Sequence, residues 1–437
     1  MSTQNTKTLG LFTLIALIIG NMLGAGVFTT SGFALGELGS PLYVMLAWFI
    51  GGLLALCGAI SYGALARLMP VSGGEYFFLS RVVHPLAGFV AGWISLWAGF
   101  TAAIALAAIT FEAYLLPSAL RETLPENSLA TIVILLAALA HGFQVRHGAR
   151  LQTIAVTLKL LLIIGFILFV TLTSDIDQWA GVVAWRHSPG VDFSLPVFAV
   201  TLMWISYSYS GFNAAIYVAS EVGDAARKVP RAMIQATLLT TGIYLVLNGI
   251  FVFAPAPGDI AQQEDVAALA SQALAGEALA NVMRGVIVIA LFTSISAMIM
   301  AGPRVYAQMA RDGLMPAFLR FEGSVPGTAI AMQALLSIAV VWISGLQALL
   351  SYLGFTLALS TAATIASLFV VASRNKTGAG HLPGYPWAPG IFITFTLLFA
   401  GLAATINPME MLAAVITIVS AVIIYWVFGR RHQTISR

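Results

Sequence analysis

The sequence predicts an all-α polytopic membrane protein with about twelve transmembrane helices. Charged residues make up only 8% of its 437 residues and hydrophobic ones 59%, whereas a soluble domain carries about 25% charge. Uncharged stretches as long as a spanning helix recur along the whole chain. The basic residues between them fall almost entirely on one side.

A spanning helix needs about 20 mostly apolar residues to cross about 30 Å of hydrocarbon. Uncharged runs of that order cover 8–36, 38–66, 82–111, 127–145, 193–220, 232–258, 285–303 and 411–429. The run 323–373 is long enough for two spans, 377–409 holds another, and 151–174 is apolar apart from Lys159. With twelve spans assigned, sixteen of the twenty Lys and Arg residues lie on the side carrying both termini. Arg121, Arg186 and Arg284 lie opposite, and Lys159 lies within a span. The positive-inside rule then places both termini in the cytoplasm and the protein in a cell (inner) membrane.

No linker, low-complexity tract or soluble segment divides the chain, so residues 1–437 form one transmembrane domain. The stretches 174–192 and 255–284 are short enough to be external loops with a surface helix. The first ten residues lack the basic start of a signal peptide, and the apolar run that follows is too long for one, so it stays as a helix. The net charge of +3 is dispersed between spans and forms no nucleic-acid footprint. Cys57 is the only cysteine, which excludes an internal disulfide and a thiolate metal cluster. The six histidines lie near span ends without metal-ligand spacing. No zinc-protease, phosphate-loop or serine-hydrolase motif is present, so neither an enzyme nor a bound cofactor or metal is expected.

Two spans are interrupted. The first reads Gly20-Asn21-Met22-Leu23-Gly24-Ala25-Gly26 in mid-membrane, where each glycine costs about 1 kcal/mol of helix relative to Ala. Backbone groups freed in hydrocarbon cost several kcal/mol unless something satisfies them. A substrate bearing both a carboxylate and an ammonium meets that need. The N–H groups of Gly24, Ala25 and Gly26, at a half-helix N-terminus, suit the anion. Carbonyls from Ile19 to Met22, with Asn21 beside them, suit the cation. Close helix packing through small residues gives the same glycine pattern. The sixth span carries the second interruption, Ser206-Tyr207-Ser208-Tyr209-Ser210-Gly211-Phe212-Asn213. Paired interruptions at corresponding positions of two halves point to a transporter site, with Ser210, Gly211 and Asn213 lining it. They also suggest two inverted repeats of five helices, approximately 9–174 and 194–373, with two additional helices at 388–429. Tyr207 sits one turn from the break, as an aromatic gate or as a packing ring.

Lys159 is a buried base in the fifth span. A Lys at a bilayer centre costs about 2.5–3.5 kcal/mol on insertion scales, so it faces protein. Such a lysine acts as a proton carrier or as a fixed replacement for a bound cation. Ser294 and Ser296 in the eighth span line an ion or lysine pocket, or bond back to their own helix. Glu112 lies near the outer end of span three and reaches either the interface or a basic side chain.

At these residues the chain resembles the amino acid–polyamine–organocation family, and within it the bacterial relatives of L-type amino acid transporters. Gly20 to Phe28 is similar to the family's G-x-x-x-G-[SA]-G-[IV]-F, and Pro70-Val71-Ser72-Gly73-Gly74-Glu75-Tyr76 to its P-x-x-G-G-x-Y loop. Tyr209-Ser210-Gly211-Phe212-Asn213 precedes Glu221 and a K-x-P-R element at Lys228 to Arg231, and Gly302 to Gly313 resembles the loop after span eight. The resemblance implies the five-plus-five inverted-repeat fold named after the bacterial leucine transporter, with discontinuous helices 1 and 6. It implies a carboxylate at Gly24-Ala25-Gly26, an amino group at the carbonyls near Ile19 and Tyr207, and a side-chain pocket bordered by Asn213. Lys159 matches a span-five lysine that stands where sodium binds in other relatives. Sodium-independent transport of neutral L-amino acids follows, as exchange or proton coupling, with protons and the lipid bilayer as the other partners. Arginine and polyamine exchangers commonly carry an acidic residue where Asn213 stands; a cationic amino acid or polyamine antiporter is the alternative. The loop Leu115 to Leu129 lacks the cysteine that tethers a heavy-chain glycoprotein, so no disulfide-linked heavy chain is expected.

Overall fold

The computed structural model describes residues 9–116, 124–142, 148–187, 192–320, 326–374 and 382–429. Of the basic residues and histidines counted above, Lys7, Arg121, Arg146, His147, Lys376, His381, Arg430, Arg431, His432 and Arg437 lie outside the described residues, as do residues 117–123 of the loop in which the heavy-chain cysteine is missing. The described residues are helical, joined by turns, and contain no strand. That follows from the composition: in lipid, an open chain satisfies its backbone hydrogen bonds within each segment only as a helix.

The first half comprises α1 (Leu11–Met22), α2 (Ala25–Leu38), α3 (Pro41–Leu68), the short α4 (Gly74–Val82), α5 (Pro85–Leu115), α6 (Ser128–Gly142) and α7 (Gly148–Thr173). The surface helix α8 (Ala180–His187) precedes α9 (Leu195–Tyr209), α10 (Ala225–Phe253), α11 (Val266–Arg311), α12 (Gly327–Ile343) and α13 (Leu346–Arg374). The chain closes with α14 (Trp387–Ala403) and α15 (Pro408–Ile424). Helix starts follow the sequence: proline occupies the first turn of α3, α5, α9 and α15, where its missing N–H costs nothing. Gly39 takes the left-handed conformation (φ 63°) that ends α2 and turns the chain into α3.

Among the described residues, seven helices are long and apolar enough to cross a membrane, or eight when the bent pair α1–α2 counts as one span. The difference from the expected twelve is one of length. Helices α6, α12 and α14 are apolar but have 15–17 residues, short of the roughly 20 that a straight crossing requires. Helix α9 likewise has 15 residues before it meets the second break. Both loops expected to be external contain short helices, α8 in one and Pro257–Ile260 with the start of α11 in the other; α11 is itself interrupted at Ala275 and Gly276.

Helix α3 packs along α10, α5 along α11 and α6 along α12. Helix α1 lies against α10, and α9 against α2 and α3, so the two interrupted helices occupy the centre of the bundle. From Ala25 to Leu35 every residue of α2 is buried, and its small side chains (Gly26, Gly32, Ala34) permit that close packing.

Candidate functional site

The first interruption falls where the glycines place it. Helix α1 ends at Met22, Leu23 turns out of helical geometry, and α2 restarts at Ala25 with its axis bent by 42°. Gly24 sits at the N-cap in an extended conformation and supplies no side-chain cap to the first turn. The first amides of a helix have no intrahelical acceptor, so Ala25 and Gly26 present N–H groups at the positive end of the α2 dipole. Gly24 departs from expectation, because its own N–H donates to the Met22 carbonyl at 2.8 Å. In this conformation two of the three expected amides remain for an anion.

The second interruption is shorter than the polar run predicts. Ser206, Tyr207 and Ser208 are still helical, and the chain leaves α9 at Ser210 (ψ 149°) and Gly211 (φ +100°). The serines are accommodated because Ser206 donates back to the Leu202 carbonyl at 2.7 Å and Ser208 to that of Trp204 at 3.4 Å, a bond that serine hydroxyls make within helices. After Asn213 the chain continues as a tight 3-10 segment, Ala214–Glu221. Glycine is required at 211, since its positive φ disfavours any L side chain.

The two breaks touch. A Cβ on Gly211 would lie 3.2 Å from the Asn21 amide nitrogen, and one on Gly26 would lie 2.3 Å from Ser208 Oγ and 3.0 Å from its Cα. Thr30 Oγ1 and Ser208 Oγ are 3.4 Å apart. Gly26 therefore does two jobs: at the helix start its N–H has no intrahelical acceptor, and its missing side chain lets α2 approach α9. The Ile19 carbonyl accepts from Leu23 N–H at 3.0 Å and the Tyr207 carbonyl from Ser210 N–H at 2.9 Å. Each retains a second lone pair for one more donor. Asn21 is exposed and Tyr207, Ser210, Gly211 and Asn213 are half-buried, so this face of the break is reachable. Tyr207 packs against the edge of the core without a hydrogen bond from its hydroxyl among the described contacts.

Lys159 meets the first break directly. It is 2% exposed, and its ammonium donates to the Gly20 carbonyl at 3.0 Å and the Leu23 carbonyl at 2.6 Å. Those carbonyls lost their helical partners when α1 ended, and the ammonium replaces the missing donors. Ser294 does not join it: its hydroxyl donates to Ala290 of its own helix at 3.0 Å, the bond-back alternative. Ser296 pairs with His141 at 2.7 Å. Glu112 is also accounted for, because its carboxylate accepts the Asn127 and Ala130 amides at 2.9 and 2.8 Å and so caps the start of α6. Cys57 is half-buried on α3, and among the described residues no His/Cys/Asp/Glu group has metal-site geometry.

Two residues of the site were missed in the sequence. Tyr244 on α10 is fully buried, and its hydroxyl lies 2.6 Å from the Met22 carbonyl and 2.9 Å from that of Ser208, bridging both breaks. The available signal was a pair of polar residues, Tyr244 and Asn248, one turn apart in an apolar span. Asn248 accepts a bond from Ser31 of α2 at 2.6 Å. Glu75, in the glycine loop after α3, is 8% exposed and bonds to Asn213; it stands at the variable position of the P-x-x-G-G-x-Y loop, a lone carboxylate directly after two glycines, and was assigned no role. A cavity of about 460 Å³ lies apart from the breaks, beyond Phe33 at the far end of α2, bordered by Glu264, Ser351 and Glu410.

A family model described as amino acid permease matches residues 9–429. The rabbit (Oryctolagus cuniculus) large neutral amino acids transporter small subunit 2 is 26% identical over 377 residues, covering 84% of this chain and 70% of the relative. The human Asc-type amino acid transporter 1 is 26% identical over 437 residues, covering 96% and 82%. The serine/threonine exchanger SteT of Bacillus subtilis is 22% identical over 436 residues, covering 98% of both chains. With nearly its whole length inside the family model, the chain belongs to the amino acid permeases of the amino acid–polyamine–organocation family.

Proposed function

We propose that this permease carries neutral L-amino acids across a cell (inner) membrane without sodium, by alternating access, as an exchanger or a proton-coupled symporter. The observation that carries the reading is the Lys159 ammonium on the Gly20 and Leu23 carbonyls. A cation fixed to the protein occupies the carbonyls exposed by the break, and a mobile metal ion is not needed to neutralise them. The substrate carboxylate meets the amides at Ala25 and Gly26, joined by Gly24 once its turn opens. Its ammonium meets the second lone pairs of the Ile19 and Tyr207 carbonyls, and Tyr207 covers the site. Asn213, an uncharged residue, borders the side-chain pocket and favours neutral substrates. Glu112, engaged as a helix cap, gives no support to a cationic amino acid or polyamine antiporter.

The relatives' names fit this class, since they describe large neutral amino acids in one and exchange of serine and threonine in another. The packing of α3 on α10, α5 on α11 and α6 on α12 supports twelve spans in two inverted repeats, 9–174 and 194–373, followed by two helices within 388–429. In that arrangement both termini are cytoplasmic and no disulfide-linked heavy chain takes part. Uptake of a panel of radiolabelled amino acids into proteoliposomes tests the proposal. Neutral amino acids should enter and compete with one another, and arginine, lysine and putrescine should not. Entry restricted to cationic compounds would reverse the assignment.

A further inference from the structure

Beside the second break, a buried polar cluster surrounds Glu75. Its carboxylate accepts three hydrogen bonds from three separate elements. Tyr62 of α3 donates to Oε1 at 2.5 Å, Asn213 after the second break donates to Oε1 at 3.3 Å, and Ser360 of α13 donates to Oε2 at 3.2 Å. Among the described residues no Lys or Arg pairs with it. A buried carboxylate held only by neutral donors is costly unless each bond is kept. That cost makes the cluster sensitive to any movement of one member.

The loop bearing Glu75 also grips the rest of the segment that follows the second break. Ser72 and Ser220 exchange bonds, each amide donating to the other's hydroxyl at 2.9 and 2.8 Å. Gly74, at φ +62°, lies so close to Tyr217 that a Cβ would fall 2.2 Å from the ring. Phe212 packs edge-on to Tyr62 with centroids 5.6 Å apart. The start of α1 joins this assembly through Leu9 N–H, which donates to the Glu221 carbonyl at 2.9 Å. A second clamp holds α2 at the other end of the molecule. There Gln262, at φ +62°, donates its amide to the Gly32 carbonyl at 2.9 Å, and a Cβ on Gly32 would meet the Gln263 carbonyl at 2.0 Å. That clamp contains no buried carboxylate bonded as Glu75 is.

We propose that Glu75 is a positioning residue that latches the segment Asn213–Glu221 to α3 and α13, so that opening the permease on the α1 side requires breaking its hydrogen bonds. The latch rests on the alternating-access reading, although its test needs no substrate. Cys57 is replaced by Ser and Ala219, 2% exposed on the latched segment, by Cys. The full-length protein in detergent is then labelled with a small hydrophilic thiol reagent. Glu75→Gln offers one acceptor where three donors converge, so the labelling rate of Cys at 219 should rise about tenfold or more, as loss of a charge-assisted bond predicts. Glu75→Asp should retain part of the slow labelling. Tyr62→Phe and Ser360→Ala each remove a single donor, and each should raise the rate by a smaller factor; they decide the matter if Glu75→Gln does not fold. An unchanged rate in these variants overturns the latch. A raised rate in a protein that transports no amino acid keeps the latch and removes the proposed substrate instead.

Discussion

Replacing Lys159 with Ala should impair transport far more than folding. The wild-type ammonium makes two charge-assisted bonds, to Gly20 and Leu23, each worth about 1.5–3 kcal/mol. Their loss, about 3–6 kcal/mol, is offset by no longer burying a cation, which costs about 2.5–3.5 kcal/mol on insertion scales. The net change therefore runs from about zero to roughly 3.5 kcal/mol of destabilisation, within what a large bundle tolerates. The break itself loses its anchor: two carbonyls are left without donors, and α1 is no longer tied to α7 at that point. Thermal stability and monodispersity would be measured beside exchange in proteoliposomes. The expected result is a folded protein whose exchange rate falls at least tenfold, or whose dependence on pH or cations is altered. Exchange at the wild-type rate at every pH would refute the role given to Lys159.

Gly26→Leu should abolish amino acid binding, because even a Cβ would press on Ser208 at 2.3 Å and the longer side chain would fill the space over the α2 amides; ligand-induced thermal stabilisation would disappear. Retained binding would show that the glycine serves helix packing alone. Tyr244→Phe removes the hydroxyl shared by the Met22 and Ser208 carbonyls and should cost about 1–3 kcal/mol, read as a lowered melting temperature and weakened substrate affinity. Gly211→Ala places a side chain at φ +100° and should destabilise by about 1–2 kcal/mol, measured by thermal unfolding.

The positions of both breaks were largely legible in the sequence because glycine and asparagine act locally. Three glycines with Asn21 end α1, and Gly211 supplies the positive φ of the second break. The exact start of that break was not legible, since Ser206 and Ser208 are polar yet stay helical by bonding one turn back. Lys159 was visible as a costly charge in an apolar run, whereas its partners were not, because Gly20 and Leu23 lie well over a hundred residues away. Tyr244 and Glu75 escaped for the same reason: each gains its hydrogen-bond partners only when other elements bring carbonyls or donors to it. Ser294 shows the reverse case, a hydroxyl at a suggestive position whose bond stays in its own helix.

Counterflow in proteoliposomes distinguishes a carrier whose cation is built in from one that must bind a metal ion. Liposomes loaded with an unlabelled neutral amino acid are diluted into sodium-free buffer containing a trace of the same radiolabelled compound. Uptake should be fast, should depend on the internal amino acid or on a proton gradient, and should not change when sodium is added. Uptake that requires sodium, or none for any neutral amino acid, would contradict the placement of Lys159 at the heart of the site.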